Sequence, residues 1–389
     1  MSNPFAPLPE PESSLARYRI LSSTAGIRVS PLQLGAMSIG DAWSSMMGSM
    51  SKADSFALLD AYTSAGGNFI DTANTYQNEQ SEQWLGEWMS ARANRDRMTV
   101  ATKYTMAYKD YAIGKGVAPN YMGNHKKAMT LSLRDSLEKL QATYIDIFYV
   151  HLWDHSCSIK EVMDSLHMLI EQGRVLYLGI SDTPAWIVAA ANEYAVSNGK
   201  TPFSIYQGKW SVMMRDFERD ILPMARHYGM ALAPWGAMGQ GKFQTKKQIG
   251  DREKNGEALR SFMGPGQTDD EVKISAALER VAVELSQGME KPYSVSAVAL
   301  AYVLAKAPRV FPVVGGRKVE HLMDNVRALE IRLSKEQIQE LESALPFDIG
   351  FPSNFIGEDP KVSGTKGGHV LAAGAYVDWL LSEKPVGYA

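Results

Sequence analysis

Asp71, Tyr76, Lys103 and His151 are the side chains best suited to proton and charge chemistry, and each stands at or just beyond an apolar run. Asp71 follows Phe69 and Ile70 in the stretch NFIDTANTYQNE, and Tyr76 comes shortly after it. A carboxylate at the mouth of a buried run is costly without a partner. Lys103 ends MTVATK and His151 ends IDIFYVH. A tyrosine hydroxyl is a weak acid, and a neighbouring ammonium favours its phenolate and eases proton donation. Lys103 can supply that charge, Asp71 can pair with Lys103 and hold it, and His151 can donate a hydrogen bond to a substrate oxygen. Such a set suits a carbonyl that gains negative charge as hydride arrives. Taken singly, a strand-end Asp or Lys is more often a plain ion pair, and a lone His a satisfied rim residue. The weight lies in finding them together at consecutive strand ends.

Those ends need a scaffold. Residues 1–17, proline-rich, are expected to form a flexible tail, and YRILSSTAGIRVS a hairpin. Eight apolar runs then alternate with helical patterns: LQLG, NFIDT, MTVATK, IDIFYVH, VLYLGIS, FSIYQ, MALAPW and FPVVGG. Ser51-x-x-Asp54 and Ser158-x-x-Glu161 open two of the helices, Gly66-Gly67 and Gly173 close them, and Leu133, Leu137 and Leu140 share a face of another. Strands this continuously apolar are buried on both faces, hence parallel. An eightfold βα alternation predicts an α/β fold, a (β/α)8 TIM barrel over residues 18–345, with chemistry at the C-terminal ends of its strands. The competing doubly wound sheet lacks a Gly-x-Gly-x-x-Gly after its first strand. Segments 104–125, 236–275 and 346–389 fall outside the repeat and are expected as loops on the catalytic face, the last as an extension covering it.

These motifs together resemble the aldo-keto reductase superfamily. FIDTANTYQNEQSEQWLG is similar to that family's signature, ATKY to its lysine strand and IDIFYVHLWD to its histidine strand. YLGISDTPAW, YQGKW and FPVVGGRKVEHLMDN are similar to its later cofactor segments, so the likeness runs from about 30 to 345. FDIGFPSNFIG and RDFERDILPMARHYGMALAPWGAMGQGKF resemble most the fungal aryl-alcohol dehydrogenase and norsolorinic acid reductase branch. The resemblance implies a tetrad of Asp71, Tyr76, Lys103 and His151, with Tyr76 as proton donor, and NADPH bound without a Rossmann motif. It implies that Ser181 and Gln207 hold the nicotinamide amide together with Asp182, where most members have Asn. Trp210 stands where many have a Tyr stacked on the ring. Gly35 and Met37 at the first strand end, and Gly315 and Gly316 at the last, are further expected cofactor contacts.

Arg317 and Lys318 precede a helix whose apolar stripe is Val319, Leu322, Met323, Val326 and Leu329. Cations oppose the dipole there unless a phosphate joins them, so the pair favours the 2′-phosphate of NADPH over NADH, the alternative being a solvated basic pair. The resemblance sets His321, Asp324 and Asn325 near the adenosine. GAMGQGKF mimics a P-loop, but Phe243 stands where Ser or Thr would hold magnesium. A glycine-rich loop lying over the pyrophosphate fits better, through Pro234, Trp235, Gly236, Ala237, Met238, Gly239, Gly241 and Lys242. HLWDH lacks a third metal ligand at useful spacing, so no metal is expected, and Trp153 joins His151 as a substrate contact.

A net charge of -3 without long like-charge runs argues against a nucleic-acid partner. No stretch is long and apolar enough to span a bilayer, and Cys157, the single cysteine, excludes an intrachain disulfide. A cytoplasmic reductase of an aldehyde or ketone is the expectation, with aromatic substrates suggested by branch resemblance and by tryptophan content. The alternative is an NADPH-sensing regulatory subunit on the same barrel. The oligomeric state is not legible.

Overall fold

Strands that are apolar on both faces need cover on both, and a closed barrel wrapped in helices supplies it. The computed structural model describes residues 5–254, 266–365 and 373–385. A hairpin of β1 (Arg19–Ser22) and β2 (Ala25–Val29) precedes eight parallel strands. These are β3 (Gln33–Gly35), β4 (Phe69–Asp71), β5 (Thr99–Tyr104), β6 (Ile145–Val150), β7 (Val175–Ser181), β8 (Phe203–Lys209), β9 (Ala231–Trp235) and β10 (Val313–Val314). They pair in the order β10-β3-β4-β5-β6-β7-β8-β9. A parallel bridge from Leu232 to Val310 joins the two edges, so the eightfold barrel is the fold found.

Side chains alternate across each strand, so parity decides which of them enter the barrel. Phe69, Ala101, Ile147, Tyr149, Ile205, Ala231, Ala233 and Phe311 form the interior cluster. Leu21, Ala25 and Val29 of the hairpin complete it from below. Thr24 Oγ1 donates to Ser204 Oγ at 2.9 Å, and Ser23 N to Gly229 O at 3.1 Å, which seats the hairpin under the N-terminal ends of β8 and β9. The residues between, such as Ile70, Val100, Phe148 and Val150, face outward into the larger core beneath the helices. Continuing the inward parity one step up each strand selects Asp71, Lys103, Ser181 and Gln207, with His151 immediately past β6.

Helix caps follow the sequence signals. Ser51 accepts from Asp54 N at 3.1 Å at the start of Lys52–Ser64, and Ser158 from Glu161 N at 3.1 Å at the start of Ile159–Glu171. Part of 236–275 is more regular than expected, because helices Lys246–Lys254 and Asp269–Leu285 occupy it; residues 255–265 of that segment lie outside the described residues.

The chain ends depart from expectation. Of the tail expected over 1–17, residues 1–4 lie outside the described residues, and Leu15 is fully buried in the outer core. None of the described residues of 346–389, which exclude 366–372 and 386–389, lines the cleft above the strand ends that this segment was expected to cover. Instead Phe347 sits under the Arg215 and Arg219 guanidinium groups at 4.8 and 4.5 Å, and Glu383 pairs with Arg309 at 2.9 Å, ahead of β10.

Candidate active site

At the top of β4 and β5, neighbouring parallel strands bring two opposite charges together. Lys103 Nζ lies 2.6 Å from Asp71 Oδ2 and donates to Thr72 O at 2.8 Å. Gln207, across the barrel on β8, donates Nε2 to Asp71 Oδ1 at 2.8 Å. Both Asp71 oxygens therefore have partners, which answers the desolvation of a carboxylate only 2% exposed. Tyr76 stands above the pair, with the Lys103 ammonium 5.1 Å from its ring centre. The His151 ring meets Tyr76 edge-on, centroids 5.8 Å apart. The four residues expected at one rim thus converge on one spot.

Burial pushes the Tyr76 phenol above its ordinary value, the Lys103 ammonium pulls it back, and the Asp71 carboxylate pushes the same way as burial. Burial alone would lower Lys103, but Asp71 and then Tyr76 outweigh it and hold the ammonium above its usual value. Burial, reinforced by Lys103, holds His151 well below the usual histidine range. His151 is accordingly a neutral imidazole, able to donate one N–H without adding charge. Asp182 is pushed up by the protein around it, against the pull of the Trp235 N–H and Lys103.

A cleft of about 1430 Å³ opens over this floor. Asp71, Tyr76, His151, Asp182, Gln207 and Trp235 line one part of it. Arg317, Lys318, His321, Asp324 and Asn325 line another, and Gly35, Met37, Gly236, Ala237, Met238, Gly241, Lys242, Gly315 and Gly316 also contribute. The Arg317 guanidinium lies against Gly48, whose backbone is left-handed (φ +72°); a Cβ there would sit 1.7 Å from Arg317 Nη1. Asp324 accepts from the Ser294 hydroxyl. His151 Nδ1 is buried with no hydrogen-bond partner among the described residues, whereas Ser181, the residue before Asp182, is buried and does not itself line the cleft. An orphaned ring nitrogen on the cleft floor fits a ligand bearing a carbonyl or amide group.

Some expected contacts do not reach the cleft. Trp210 has the outward parity of β8: it is fully buried, stacks on Phe217 with centroids 4.9 Å apart, and donates Nε1 to Glu218 at 3.2 Å. Trp235, with inward parity on β9, occupies the cleft wall instead. Trp153 packs against the outer core rather than lining the cleft, and Pro234 and Gly239 do not line it either. The glycine-rich loop spends several amides on itself: Gly239 N donates to Gly236 O, Gly241 N to Met238 O and Lys242 N to Gly239 O. Lys242 also faces Glu271 at 3.7 Å.

One part of the site went unforeseen. Trp43, Met46 and Met47, from the loop after β3, line the cleft, as does Met106 after β5. Trp43 meets Tyr76 edge-on at 6.3 Å. Its loop is held by the carboxamides that follow Tyr76. Gln77 Oε1 accepts from Trp43 N at 2.8 Å, Asn78 Oδ1 from Trp43 Nε1 at 2.9 Å, and Gln80 Oε1 from Asp41 N at 2.9 Å.

Residues 31–346 match the Aldo/keto reductase family. The chain is 62% identical over 364 residues to a Saccharomyces cerevisiae protein carrying an aryl-alcohol dehydrogenase name, covering 93% of this chain and 96% of that one. It is 52% identical over 383 residues to the aryl-alcohol dehydrogenase [NADP(+)] of Phanerodontia chrysosporium, with 97% of each chain covered. It is 50% identical over 355 residues to the norsolorinic acid reductase of Aspergillus flavus, covering 91% and 88% respectively.

Proposed function

The chain belongs to the aldo/keto reductase family, and from that premise we propose that it reduces an aryl aldehyde or aromatic ketone to the alcohol with NADPH. The observation that carries this reading is the meeting of Asp71, Tyr76 and His151 on the floor of one cleft, with the buried Lys103 ammonium against Asp71 and the Tyr76 ring. When bound there, a dihydronicotinamide supplies the hydride. Tyr76 gives its hydroxyl proton to the carbonyl oxygen. The Lys103 ammonium lowers the cost of the phenolate left behind, and Asp71 keeps Lys103 charged and in place. His151, neutral, donates a hydrogen bond to the same oxygen and steadies the charge that develops on it. Ser181, Gln207 and Asp182 would hold the carboxamide, Trp235 would flank the ring, and Arg317 with Lys318 would meet the 2′-phosphate. Trp43 and Met106 would offer an apolar, polarizable wall to an aromatic substrate. The NADP(+) in one relative's name, the aryl alcohols in the names of two and the reductase in the name of the third agree with this reading.

The test is NADPH consumption over a panel of aromatic aldehydes, quinones and aryl ketones, with Tyr76→Phe alongside. Loss of a positioned acid is expected to lower kcat by about 10²–10⁴-fold while NADPH still binds. Full carbonyl reduction by Tyr76→Phe refutes the proton-donor role. Tight NADPH binding without turnover of any substrate would favour a cofactor-sensing role.

A further inference from the structure

Asp182 directly follows β7 at the cleft floor in a left-handed backbone, φ +40°. Such a conformation is tolerated by aspartate but rarely adopted, and it persists where surrounding structure enforces it. The turn aims a carboxylate into the cleft. One of its oxygens accepts from Trp235 Nε1 at 3.2 Å, and the group makes no ion pair among the described residues. Two cations stand near it without pairing with it. Lys103 is paired with Asp71 at 2.6 Å, and the Lys209 ammonium sits 5.8 Å above the Trp235 ring. Asp71 and Lys103 cancel each other, while His151, Ser181 and Gln207 are neutral. Of the two floor carboxylates, Asp71 and Asp182, only Asp182 lacks an ion-pair partner among the described residues.

We propose that Asp182 tunes the redox balance of the cofactor: its carboxylate favours the cationic oxidised nicotinamide over the neutral reduced ring. This rests on the reading that the ring lies beside Tyr76. Stabilising the oxidised form makes bound NADPH a stronger hydride donor than NADPH in solution, which drives the reaction toward the alcohol. An unpaired anion facing a unit positive charge across a partly solvated cleft is worth about tenfold in relative affinity. For a two-electron couple, tenfold is about 30 mV.

The experiment is separate titration of NADP+ and NADPH by tryptophan fluorescence in wild type, Asp182→Asn and Ser181→Ala. Asp182→Asn keeps the size and hydrogen-bonding reach of the side chain but removes its charge. Its ratio of Kd for NADP+ to Kd for NADPH is expected to rise about tenfold, through weaker NADP+ binding. Ser181→Ala is expected to weaken both forms alike and leave the ratio unmoved. An unchanged or lowered ratio in Asp182→Asn, with both forms still bound, overturns the inference and leaves the cofactor reading standing. A wild type that binds neither form overturns the cofactor reading and this inference with it. If Asp182→Asn does not fold, Asp182→Ser decides on the same ratio, with Asp182→Glu expected to match wild type.

Discussion

Breaking the Asp71–Lys103 pair tests the centre of the site by a route independent of activity. Lys103 is fully buried and Asp71 is 2% exposed, so neither charge has water to fall back on. At their 2.6 Å separation and an effective dielectric of about 20, the attraction is on the order of 6 kcal/mol. Each ion has lost several kcal/mol of hydration, so the pair nearly breaks even against an apolar replacement. Removing one partner is a different matter, because it strands the other. Asp71→Asn and Lys103→Met are each expected to lose about 3–5 kcal/mol of unfolding free energy, whereas the double variant should lose far less than their sum. Native stability of about 5–15 kcal/mol leaves the single variants measurable. The assay is urea unfolding at neutral pH, followed by circular dichroism and tryptophan fluorescence. Losses that simply add in the double variant, or singles costing under about 1 kcal/mol, would refute the buried pair as a coupled unit. The pH dependence carries the same logic. Lys103 is held above its usual value, so its contribution is complete below the unfolded lysine pKa of about 10.4 and is lost as pH rises through the higher folded value. The alkaline fall in stability should be shallower in Lys103→Met than in wild type.

Two further outcomes follow from the cleft. Replacing both Arg317 and Lys318 by Leu removes charge-assisted hydrogen bonds worth about 1.5–3 kcal/mol, so NADPH should bind about ten- to a hundredfold more weakly while NADH affinity changes little; an equal loss for both cofactors in a fluorescence titration would contradict a 2′-phosphate site. His151 is buried neutral and held well below the usual value, so the unfolded chain takes up its proton near pH 6.5 while the folded one does not. Its contribution is present above about pH 6.5 and lost as pH falls below it. His151→Asn should therefore flatten the decline in Tm between about pH 7 and pH 5, and superimposable Tm profiles would count against a neutral buried imidazole.

The barrel and the four polar strand ends were legible because both depend on local pattern. A run such as Ile145–Val150 is apolar at every second position on both faces but one, and no half-exposed sheet uses such a run. The inward parity of Phe69 and Ala101 carries up to Asp71 and Lys103 without any long-range information. Trp210 shows the limit of matching by likeness alone. Its parity on β8 is opposite to that of Ile205 and Gln207, and counting from Gln207 would have turned it toward Phe217. Trp43 and the methionines were not legible, because nothing periodic links the loop after β3 to the turn after β4. Only the folded distances join Asn78 to the Trp43 indole.

That junction also explains the backbone after Tyr76. Gln77, Asn78 and Glu79 are consecutive non-glycine residues with positive φ, at +53°, +50° and +75°. Each costs of order 1–3 kcal/mol and persists only if its surroundings enforce it. Enforcement comes from both sides. Gln77 and Asn78 grip the Trp43 loop. Glu79 is buried between the Lys139 and Lys109 ammonium groups at 2.7 and 2.9 Å and accepts from the Tyr111 hydroxyl at 2.6 Å. An ordinary helical turn would carry the three side chains in other directions, away from the Trp43 loop and the lysines. The strained turn therefore sets two things at once: the height of the Tyr76 hydroxyl above Lys103 and the position of the indole that walls the cleft beside it. Acid and substrate wall are positioned by one clamp, so changes that loosen the clamp should alter both together.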